Sequence, residues 1–436
     1  MGFVRNAAFV LATSAAALPI GLATSVVLAR WLSVADRGLY ALLTTFTWIV
    51  FLLTQLGWGD AVIYRTRRHG VSLRRAFSTG LVANAAFALA ALGLCLVFRE
   101  PLSRAFLGNV APPAFWVAAV TAPLLTLGDL LRGVARALDR FDLHNQFGLL
   151  QSGVTLVALV VALPLGGGAL FAALVANGVV QLALVVGFGA RIAALTGFEW
   201  RVDLPEAFAS IGYGGIMYLQ NLLIQVHERI DVFLLAALGI AAFDIGLYAA
   251  AVSVVAPLRL IPGALGTALL PRLAGAGESD AAEFTAAVVR PSLVLMFAAG
   301  LGLAAVGAVA IPLLFGRDYA PAVVPFLVLL PGVTAVTISR VLARYFAAVG
   351  SQRPLLLLDI AVLLVNVSLN AVLIPRAGIV GAALASLISY SLEAAATVAL
   401  FRAYTGRSVR ATLLPRASDF EEYVARVRGI VSSRLR

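Results

Sequence analysis

Apolar stretches of about 18 or more residues recur along the whole of this 436-residue chain, and short charged segments separate them. Each stretch is long enough to cross a hydrocarbon core of about 30 Å as an α-helix. Hydrophobic residues make up 61% of the chain and charged residues only 12%, which is far more apolar than a soluble domain of this length. We therefore expect an all-α integral membrane protein.

The pattern predicts about twelve transmembrane helices in two lobes of six. The first apolar run resembles a secretory signal, but many similar runs follow it, so we interpret it as the first span. The N-terminal lobe is predicted at residues 1–200, the C-terminal lobe at 201–402, and a basic amphipathic tail, which a capping box at Ser418 opens, at 403–436. The predicted spans are 6–30, 38–58, 78–98, 113–135, 146–166, 169–190, 207–238, 243–270, 291–315, 320–346, 354–375 and 379–402.

All 32 basic residues are arginine, and the formal net charge is +11. In a soluble protein this excess would suggest nucleic acid, but here the arginines lie mainly at one set of predicted helix ends. Loops on the opposite side hold few, among them Arg30 and Arg37. This asymmetry places both termini in the cytoplasm and argues against a nucleic-acid partner. A single cysteine, Cys95, excludes disulfides within the chain and cysteine-rich metal sites, and we expect no metal and no cofactor.

A short pattern is repeated in the two halves of the chain. Residues 26–65 contain A-D-R-G-L-Y-A, and residues 232–272 contain F-D-I-G-L-Y-A. The repeat thus matches Asp36, Gly38 and Tyr40 with Asp244, Gly246 and Tyr248. Because each lobe has an even number of predicted helices, both halves insert the same way up, and we expect a parallel repeat about an axis along the membrane normal. Two such bundles would enclose a central cavity.

Charges inside predicted spans are the best pointers to function, because each costs about 2.5 to 3.5 kcal/mol in lipid unless it faces a cavity or a partner. Arg259 lies mid-span between Pro257 and Pro262, which loosen the helix. It is a candidate for binding a substrate phosphate; the alternative is a structural ion pair.

The seventh predicted span carries His227, Glu228, Arg229 and Asp231. Glu228 and Asp231, at i and i+3, are expected to share one helix face, with Arg229 about 100° away. Two acids on one face need a cation, so they predict a coupling site or a salt bridge that breaks during transport, with Arg259 as the candidate partner. A static interhelical pair is the alternative. His227 is interpreted as a satisfied histidine at a helix end.

Arg340, Arg344 and Arg229 are also candidates for the substrate-binding cavity, and the other charges inside spans are secondary candidates. Arg340 and Arg344 are spaced i and i+4 on the tenth span, and Asp129, Arg132 and Arg136 lie on the fourth, its partner in the repeat. They are either arginines that extend to the membrane surface and fix the topology, or a basic entrance for an anionic headgroup. Asp359 and Glu393 are isolated acids in the eleventh and twelfth spans, with pairing and function both open.

Several strings of the sequence resemble a known family. They are A-R-W-L-S-V-A-D-R-G-L-Y (29–40), R-I-D-V-F-L-L (229–235), G-L-Y-A-A-A (246–251), I-P-G-A-L-G (261–266), L-P-R-L-A (270–274) and L-F-G-R-D-Y-A-P-A (314–322). The chain is similar to the polysaccharide transporter, or Wzx-type oligosaccharide flippase, family of the multidrug/oligosaccharidyl-lipid/polysaccharide (MOP) exporter superfamily. The similarity covers nearly the whole chain.

The resemblance implies a MATE-like, or MOP, fold in the bacterial cytoplasmic membrane. It further implies a flippase that moves an undecaprenyl-pyrophosphate-linked oligosaccharide from the inner to the outer leaflet by alternating access, for cell-surface polysaccharide biosynthesis. By this analogy Arg259 and Arg340 would hold the pyrophosphate. Expected partners are the membrane and the lipid-linked cargo, with Na⁺ or H⁺ as a candidate coupling ion and glycan polymerases or glycosyltransferases as candidate protein partners.

Three other functions stay open at this point. A cation-coupled multidrug antiporter would use Glu228 and Asp231 for coupling, and a lipid II flippase would use the arginines. A membrane glycan polymerase or ligase is a remote alternative, because such enzymes generally need an extended loop outside the membrane. We expect no enzymatic activity, and the chain contains no Walker A sequence.

Overall fold

The computed structural model describes residues 2–108, 110–165, 168–199, 203–259, 261–262, 273 and 277–415. These residues are almost entirely helical, and they contain no strand. Three predicted features lie outside them: the tail helix that would begin near Ser418, the lobe boundary between residues 200 and 201, and the end of the second repeat at Arg272.

Fifteen α-helices are defined in these ranges, and polar residues cap several of them. Ser33, Ser72 and Asp203 each accept a hydrogen bond from a backbone N–H in the first turn of α2, α4 and α9. The helices are α1 (Gly2–Trp31), α2 (Val34–Gln55), α3 (Trp58–His69), α4 (Leu73–Val97), α5 (Arg99–Phe106), α6 (Pro112–Ala137), α7 (Phe141–Ala162), α8 (Ala169–Thr196), α9 (Leu204–His227), α10 (Ile230–Ala237), α11 (Ala242–Val255), α12 (Glu278–Ala310), α13 (Val323–Ala348), α14 (Arg353–Thr405) and α15 (Val409–Leu413).

Nine segments of the described chain are long and apolar enough to cross a membrane. The predicted class of all-α membrane protein is thereby confirmed, while the number of twelve spans stays a prediction. The segments are Val34–His69, Leu73–Val97, Pro112–Ala137, Phe141–Leu165, Ala169–Thr196, Ala242–Arg259, Glu278–Phe315, Arg317–Ala348 and Arg353–Thr405.

The longest segment, α14, folds back on itself at Gly378. This glycine has φ 54° and ψ −133°, which is not helical. A Cβ atom on Gly381 would lie 2.2 Å from the carbonyl oxygen of Leu373, and Nδ2 of Asn366 donates to Oγ of Ser389 at 3.0 Å. In one straight helix, residues 23 positions apart would be about 35 Å apart. The two arms, 353–377 and 379–405, therefore form an antiparallel hairpin, as the predicted eleventh and twelfth spans require.

Helices of the first half pack mainly on one another, as do those of the second half. In the first half α6 packs on α2, α3, α4 and α8, and in the second half α13 packs on α11, α12 and α14. Each half has a smaller apolar core of its own, but the largest core joins them through side chains such as Phe46, Phe115, Tyr248 and Phe326. The two halves meet chiefly where α2 packs on α11.

The repeated glycines lie at the crossing of α2 and α11. A Cβ atom on Gly38 would lie 1.9 Å from the carbonyl oxygen of Ala242, and one on Gly246 would lie 2.0 Å from that of Val34. These contacts are reciprocal, as two elements related by a twofold rotation require. Only glycine lets the two backbones approach so closely. The sequence repeat thus marks the closest contact between the halves.

Arg37 contacts residues of both halves beside this crossing. Its guanidinium donates to Oγ of Ser25 at 2.7 Å and to Oγ of Ser253 at 3.3 Å, and it lies over the rings of Phe315 and Tyr319, 4.7 Å and 5.2 Å from their centroids. Arg37 is 4% exposed and belongs to a helix, so the prediction that it lies in a loop was wrong, while the side of the membrane stays a prediction. The residue lies in the first turn of α2 and faces the second half.

Arg30 makes a second link at the end of α1. Its Nε donates to the carbonyl oxygen of Leu314 at 2.7 Å, and its Nη2 to that of Leu313 at 2.5 Å. These carbonyls belong to a π-helical turn, Ile311–Phe315, where Pro312 interrupts the α-helical pattern. Arg30 and Arg37, two arginines of the predicted external side, therefore both contact the second half.

We predict that Gly38→Ala and Gly246→Ala each weaken the contact between the halves. The new methyl group meets a backbone carbonyl that no side-chain rotation can move, so we expect a loss of about 1 to 3 kcal/mol or more. Thermal unfolding of the purified protein in detergent, followed by tryptophan fluorescence, measures the effect as a lower apparent melting temperature.

Gly93→Ala in α4 is the matched control, because nothing lies within 4 Å of its added Cβ atom. We expect its melting temperature to stay close to that of the wild type. Equal melting temperatures for all three variants would show that the α2 and α11 backbones do not meet at the glycines.

Candidate functional site

The helix of the predicted seventh span breaks in the middle of its charged segment. α9 ends at His227 and α10 begins at Ile230, so Glu228 and Arg229 lie between two helices. The expectation that Glu228 and Asp231 share a face of one continuous helix was therefore wrong. The break places the two carboxylates in two separate pockets.

Glu228 pairs with two arginines from two other elements. Its Oε2 lies 3.1 Å from Nη1 of Arg259, and its Oε1 lies 3.5 Å from Nη2 of Arg340. Arg259 ends a 3₁₀ turn, Ala256–Arg259, which follows α11 and contains Pro257. Arg340 lies within α13. Of the two acids of the seventh span, Glu228 is therefore the one that pairs with Arg259.

Three buried side chains lie behind this pair of arginines. The hydroxyl of Tyr390 accepts a hydrogen bond from Nη2 of Arg259 at 3.1 Å, and its ring centroid lies 4.9 Å from that of His227. Oε2 of Glu393 lies 3.7 Å from Nδ1 of His227, and its Oε1 lies 4.0 Å from Nη2 of Arg340. Glu393 is therefore not the isolated acid that the sequence suggested.

The two arginines of the cluster and Glu228 are partly accessible, whereas the residues behind them are buried. The side chains of Arg259, Arg340 and Glu228 are 24%, 20% and 22% exposed, whereas those of His227 and Glu393 are 5% and 4% exposed. A guanidinium fork matches the oxygen geometry of a carboxylate or a phosphate. This face therefore suits an anionic ligand that competes with Glu228.

Tyr390 and Arg340 lie well inside their helices rather than at the ends. Tyr390 follows the Gly378 turn by about 18 Å, and Arg340 follows the start of α13 by about 26 Å, at 1.5 Å per residue. Against a hydrocarbon core of about 30 Å, such depths place the cluster within the membrane.

Asp231 occupies a second pocket, where hydrogen-bond donors surround it. Its Oδ2 accepts from the hydroxyl of Tyr248 at 2.9 Å and from Oγ of Ser386, and its Oδ1 accepts from Nδ2 of Asn370 at 3.0 Å. Asp231 is 3% exposed, and within the described ranges no arginine or histidine lies at ion-pair distance from it. Neutral donors alone solvate this carboxylate.

An unpaired acceptor lies beside Asp231. Oδ1 of Asn370 is buried and has no hydrogen-bond partner among the residues that the structure describes. Buried acceptors are nearly always paired, so an unpaired one on a residue that contacts a carboxylate is a candidate ligand for a proton or a small cation. In the part of the chain that is described, no three His, Cys, Asp or Glu side chains are grouped so that they could hold a metal ion.

Arg229 turns away from both pockets toward the first half of the chain. Its guanidinium carbon lies 4.7 Å from the ring centroid of Trp48 in α2, and the side chain is exposed. A cation–π contact of this kind contributes about 0.5 to 1 kcal/mol at an exposed site. Arg229 thus places a third cation between the halves.

The predicted charges of the fourth span form a separate cluster in the first half. Nη2 of Arg132 lies 3.3 Å from Oδ1 of Asp129, and Nη1 of Arg136 lies 3.0 Å from Oδ1 of Asp60 in α3. Arg132 also lies over the ring of Phe147. Both arginines are 30% exposed, so they are accessible but already paired.

Two predicted site residues stand at the edge of the second-half cluster. Arg344, one turn beyond Arg340, is partly buried and has no ion pair within the described ranges. Asp359 lies in the first arm of α14, and its Oδ2 is buried without a hydrogen-bond partner in the described part of the chain. Neither residue forms an ion pair with Glu228 or Arg259.

Sequence reasoning missed the neutral polar residues that line both pockets. Asn366 and Asn370 are spaced i and i+4 in one arm of α14, and Ser386, Ser389 and Tyr390 are spaced i, i+3 and i+4 in the other. Polar side chains at helical spacing in an apolar span are a usable signal, since each needs a partner in lipid. The chain positions do not reveal that the two arms face each other.

Comparisons with known proteins agree with this architecture. The model of a family described as polysaccharide biosynthesis protein matches residues 27–324. No curated protein sequence matches the chain. Among solved structures, the lipid II flippase MurJ in an inward closed conformation is similar with a TM-score of 0.73 and 14% identity, over 94% of this chain and 88% of that one.

Two other solved structures share the fold. An inward-facing multidrug resistance MATE family transporter of the MOP superfamily has a TM-score of 0.68 at 15% identity, over 89% of this chain and 94% of that one. A MOP superfamily transporter from Pyrococcus furiosus has a TM-score of 0.65 at 14% identity, over 93% and 95%. The expected MOP fold is confirmed.

We predict that Glu228→Gln destabilises the protein and that an added anion corrects the defect. The variant leaves Arg259 without a carboxylate and Arg340 with Glu393 alone, so we expect a loss of about 1 to 3 kcal/mol. Inorganic pyrophosphate should raise the melting temperature of the variant more than that of the wild type, because it replaces the missing negative charge.

Asp318→Asn is the control for this measurement, since Asp318 is an exposed acid without an ion pair in the described part of the chain. Its melting temperature should respond to pyrophosphate as the wild type does. If Glu228→Gln gained no more from pyrophosphate than Asp318→Asn, the two arginines would not be an anion site.

Proposed function

Because this chain belongs to the polysaccharide biosynthesis protein family, we propose that it is a transporter that flips a lipid-linked oligosaccharide. The proposed cargo carries an undecaprenyl-pyrophosphate anchor. It moves from the inner to the outer leaflet of the bacterial cytoplasmic membrane, for the synthesis of cell-surface polysaccharide. Both termini of the chain lie in the cytoplasm in this proposal.

The observation that carries the proposal is the contact of Glu228 with both Arg259 and Arg340. One carboxylate holds two guanidinium groups from different helices at 3.1 Å and 3.5 Å, inside the membrane and with about a fifth of each side chain exposed. A pyrophosphate offers more negative charge and more acceptor oxygens than a carboxylate does. It can therefore displace Glu228 and bridge the two arginines, while the glycan occupies the cavity and the prenyl chain stays in lipid.

Transport then requires the two halves to move against each other. We place the lobes at residues 1–200 and 201–402 and the closed contact at the α2 and α11 crossing, where Arg37 links the halves. Arg132 and Arg136 would attract the anionic headgroup as it enters, since a basic surface concentrates anionic lipid. If the halves separate at the crossing and close at the opposite end of the cavity between them, the bound headgroup becomes exposed to the outer leaflet.

The Asp231 pocket favours a second role, ion coupling. Its buried carboxylate and the unpaired Oδ1 of Asn370 offer oxygen ligands to Na⁺ or acceptors to H⁺. We assign this pocket to a coupling ion of the flippase. The same pocket would serve a cation-coupled drug antiporter. The two functions are distinguished by whether prenyl-linked oligosaccharide accumulates when the protein is absent. A lipid II flippase would use the same pyrophosphate contacts and differs only in the glycan.

The first test is genetic. In a strain that lacks this gene, we expect prenyl-linked oligosaccharide to accumulate while surface glycan falls, as measured by mass spectrometry of extracted lipids. Wild-type protein should restore export, and Arg259→Ala should reduce it by about 10-fold or more, the loss expected when a charged hydrogen bond worth about 1.5 to 3 kcal/mol is removed.

Arg317→Ala is the matched control, because Arg317 is an exposed arginine without an ion pair in the described chain; it should restore export fully. Accumulated lipid II in place of other prenyl-linked glycans would identify the cargo as lipid II. No accumulation, together with altered sensitivity to cationic drugs, would overturn the flippase and support the antiporter.

The second test concerns the ion. We expect the melting temperature of the purified wild type to rise when Na⁺ replaces choline, or to shift with pH if H⁺ is the coupling ion, because a ligand that binds only the folded state stabilises it. Asp231→Asn keeps the shape but removes the charge, so the response should be lost.

Asp318→Asn again serves as the control and should respond as the wild type does. If Asp231→Asn responded to Na⁺ and to pH as strongly as the wild type, the pocket would not be the ion site.

A further inference from the structure

One buried face of the second arm of α14 carries four polar side chains: Ser386, Ser389, Tyr390 and Glu393. Their spacing of i, i+3, i+4 and i+7 aligns them along one side of the helix. Ser386 and Ser389 are fully buried, and Tyr390 and Glu393 are 2% and 3% exposed. In an otherwise apolar helix such a polar stripe persists only where each member has a partner.

The stripe joins the two proposed sites. At one end Ser386 donates to Asp231 in the ion pocket. At the other end Tyr390 accepts from Arg259, and Glu393 lies 4.0 Å from Arg340. Seven residues of one helix separate the ends, a distance of about 10 Å. Any shift of this arm therefore moves contacts in both pockets.

Ser389 lies at the middle of the stripe and uses all its hydrogen-bonding capacity. Its hydroxyl donates to the carbonyl oxygen of Ser386 at 3.1 Å. Its oxygen accepts from Nδ2 of Asn366 at 3.0 Å and lies 3.2 Å from Nε2 of His227, a hydrogen bond whose direction depends on the tautomer of the histidine. The hydroxyl of Ser389 thus joins the second arm to the first arm, through Asn366, and to α9, through His227.

A continuous path of hydrogen bonds, ion-pair contacts and a ring contact runs beside the stripe. Nδ2 of Asn370 donates to Asp231 and to the carbonyl oxygen of Asn366 at 3.0 Å each. Asn366 donates to Ser389, which in turn contacts His227. His227 then contacts Glu393 and the ring of Tyr390, both of which touch the arginines. Each of these residues is 5% exposed or less.

A cation bound at Asp231 requires some of these hydrogen-bond donors to turn away from the carboxylate. The hydroxyl of Ser386 and the amide Nδ2 of Asn370 now direct protons at the carboxylate. A bound cation needs oxygen atoms there instead, and the unpaired Oδ1 of Asn370 supplies one after the amide rotates. That rotation withdraws Nδ2 from Asn366, whose own bond to Ser389 must then adjust.

We propose that the second arm of α14 couples the ion pocket to the headgroup arginines, with Ser389 as the positioning residue. The proposal rests on the proposed function of the two pockets. Occupation of Asp231 changes the placement of Arg259 and Arg340 through Ser389, His227 and Tyr390. By thermodynamic linkage, the headgroup changes ion affinity by the same factor as the ion changes headgroup affinity.

The test measures this linkage on the purified full-length protein. Binding of inorganic pyrophosphate is titrated calorimetrically in Na⁺ and in choline, and at two pH values in choline. In the wild type we expect the coupling ion to change pyrophosphate affinity by about 5-fold or more, the lower end of common allosteric couplings. In Ser389→Ala the factor should fall toward one, while pyrophosphate still binds.

Ser391→Ala is the matched control, because Ser391 is exposed two positions away in the same arm. It should keep the wild-type factor. If Ser389→Ala kept the wild-type coupling factor, the coupling role of the arm would be overturned. The same would follow if neither Na⁺ nor pH changed the pyrophosphate affinity of the wild type. In both cases the pyrophosphate site itself would remain supported. If the wild type bound no pyrophosphate, or Arg259→Ala bound it equally well, the proposed function itself would fail.

Tyr390→Phe keeps the test decisive if Ser389→Ala does not fold. The variant preserves the ring against His227 and removes only the hydroxyl that Arg259 contacts. We expect weaker pyrophosphate binding and a smaller coupling factor. An unchanged coupling factor in a folded Tyr390→Phe protein would contradict the path through the stripe.

Discussion

The free energy cost of placing charge inside a lipid bilayer is the constraint on which the rest of this structure depends. Water is not present there to solvate a guanidinium or a carboxylate, so each charged group must find its partner in the protein or line a cavity. The second half meets this demand with two linked arrangements. Glu228 is shared by Arg259 and Arg340, and Asp231 accepts hydrogen bonds from Tyr248, Ser386 and Asn370, all of them neutral. Arg37 meets the same demand differently, between two aromatic rings and two serine hydroxyls.

Interruptions of the helices bring these partners together. The chain leaves helical geometry between α9 and α10, turns into a 3₁₀ segment at Ala256–Arg259, and reverses at Gly378. Each irregularity lies next to a residue of the cluster or makes the hairpin that carries one. Broken helices inside a membrane are tolerated where they line a cavity or are covered by protein, and their free backbone groups are then useful for binding. Here they direct Glu228 and Asp231, three residues apart, into different pockets.

The two halves share a repeat but not a charge pattern. Gly38 and Gly246 make reciprocal contacts, which is what a twofold relation predicts. Arg132 and Arg136 in the first half occupy the place of Arg340 and Arg344 in the second, yet they pair with Asp129 and Asp60 near their own helices. The repeat therefore explains the helix arrangement that the two halves share. The polar residues differ between the halves, and this difference explains why both pockets lie in the second half. Motion of one half against the other would act at the crossing, because the backbones are closest there.

Hydropathy determined the membrane class and most helices, because burial in lipid constrains the residues of every span. The matching residue strings in 26–65 and 232–272 predicted the repeat. Hydropathy also identified Glu228, Arg259 and Asp231, since intramembrane charges are rare. Only the tertiary structure decided which of them meet. Residues 228, 259, 340 and 393 are far apart in sequence, and the break after His227 and the reversal at Gly378 depend on packing rather than on local pattern. The neutral partners Ser386, Ser389, Asn366 and Asn370 carry no charge signal, so their role follows from the antiparallel hairpin that brings the two arms into contact.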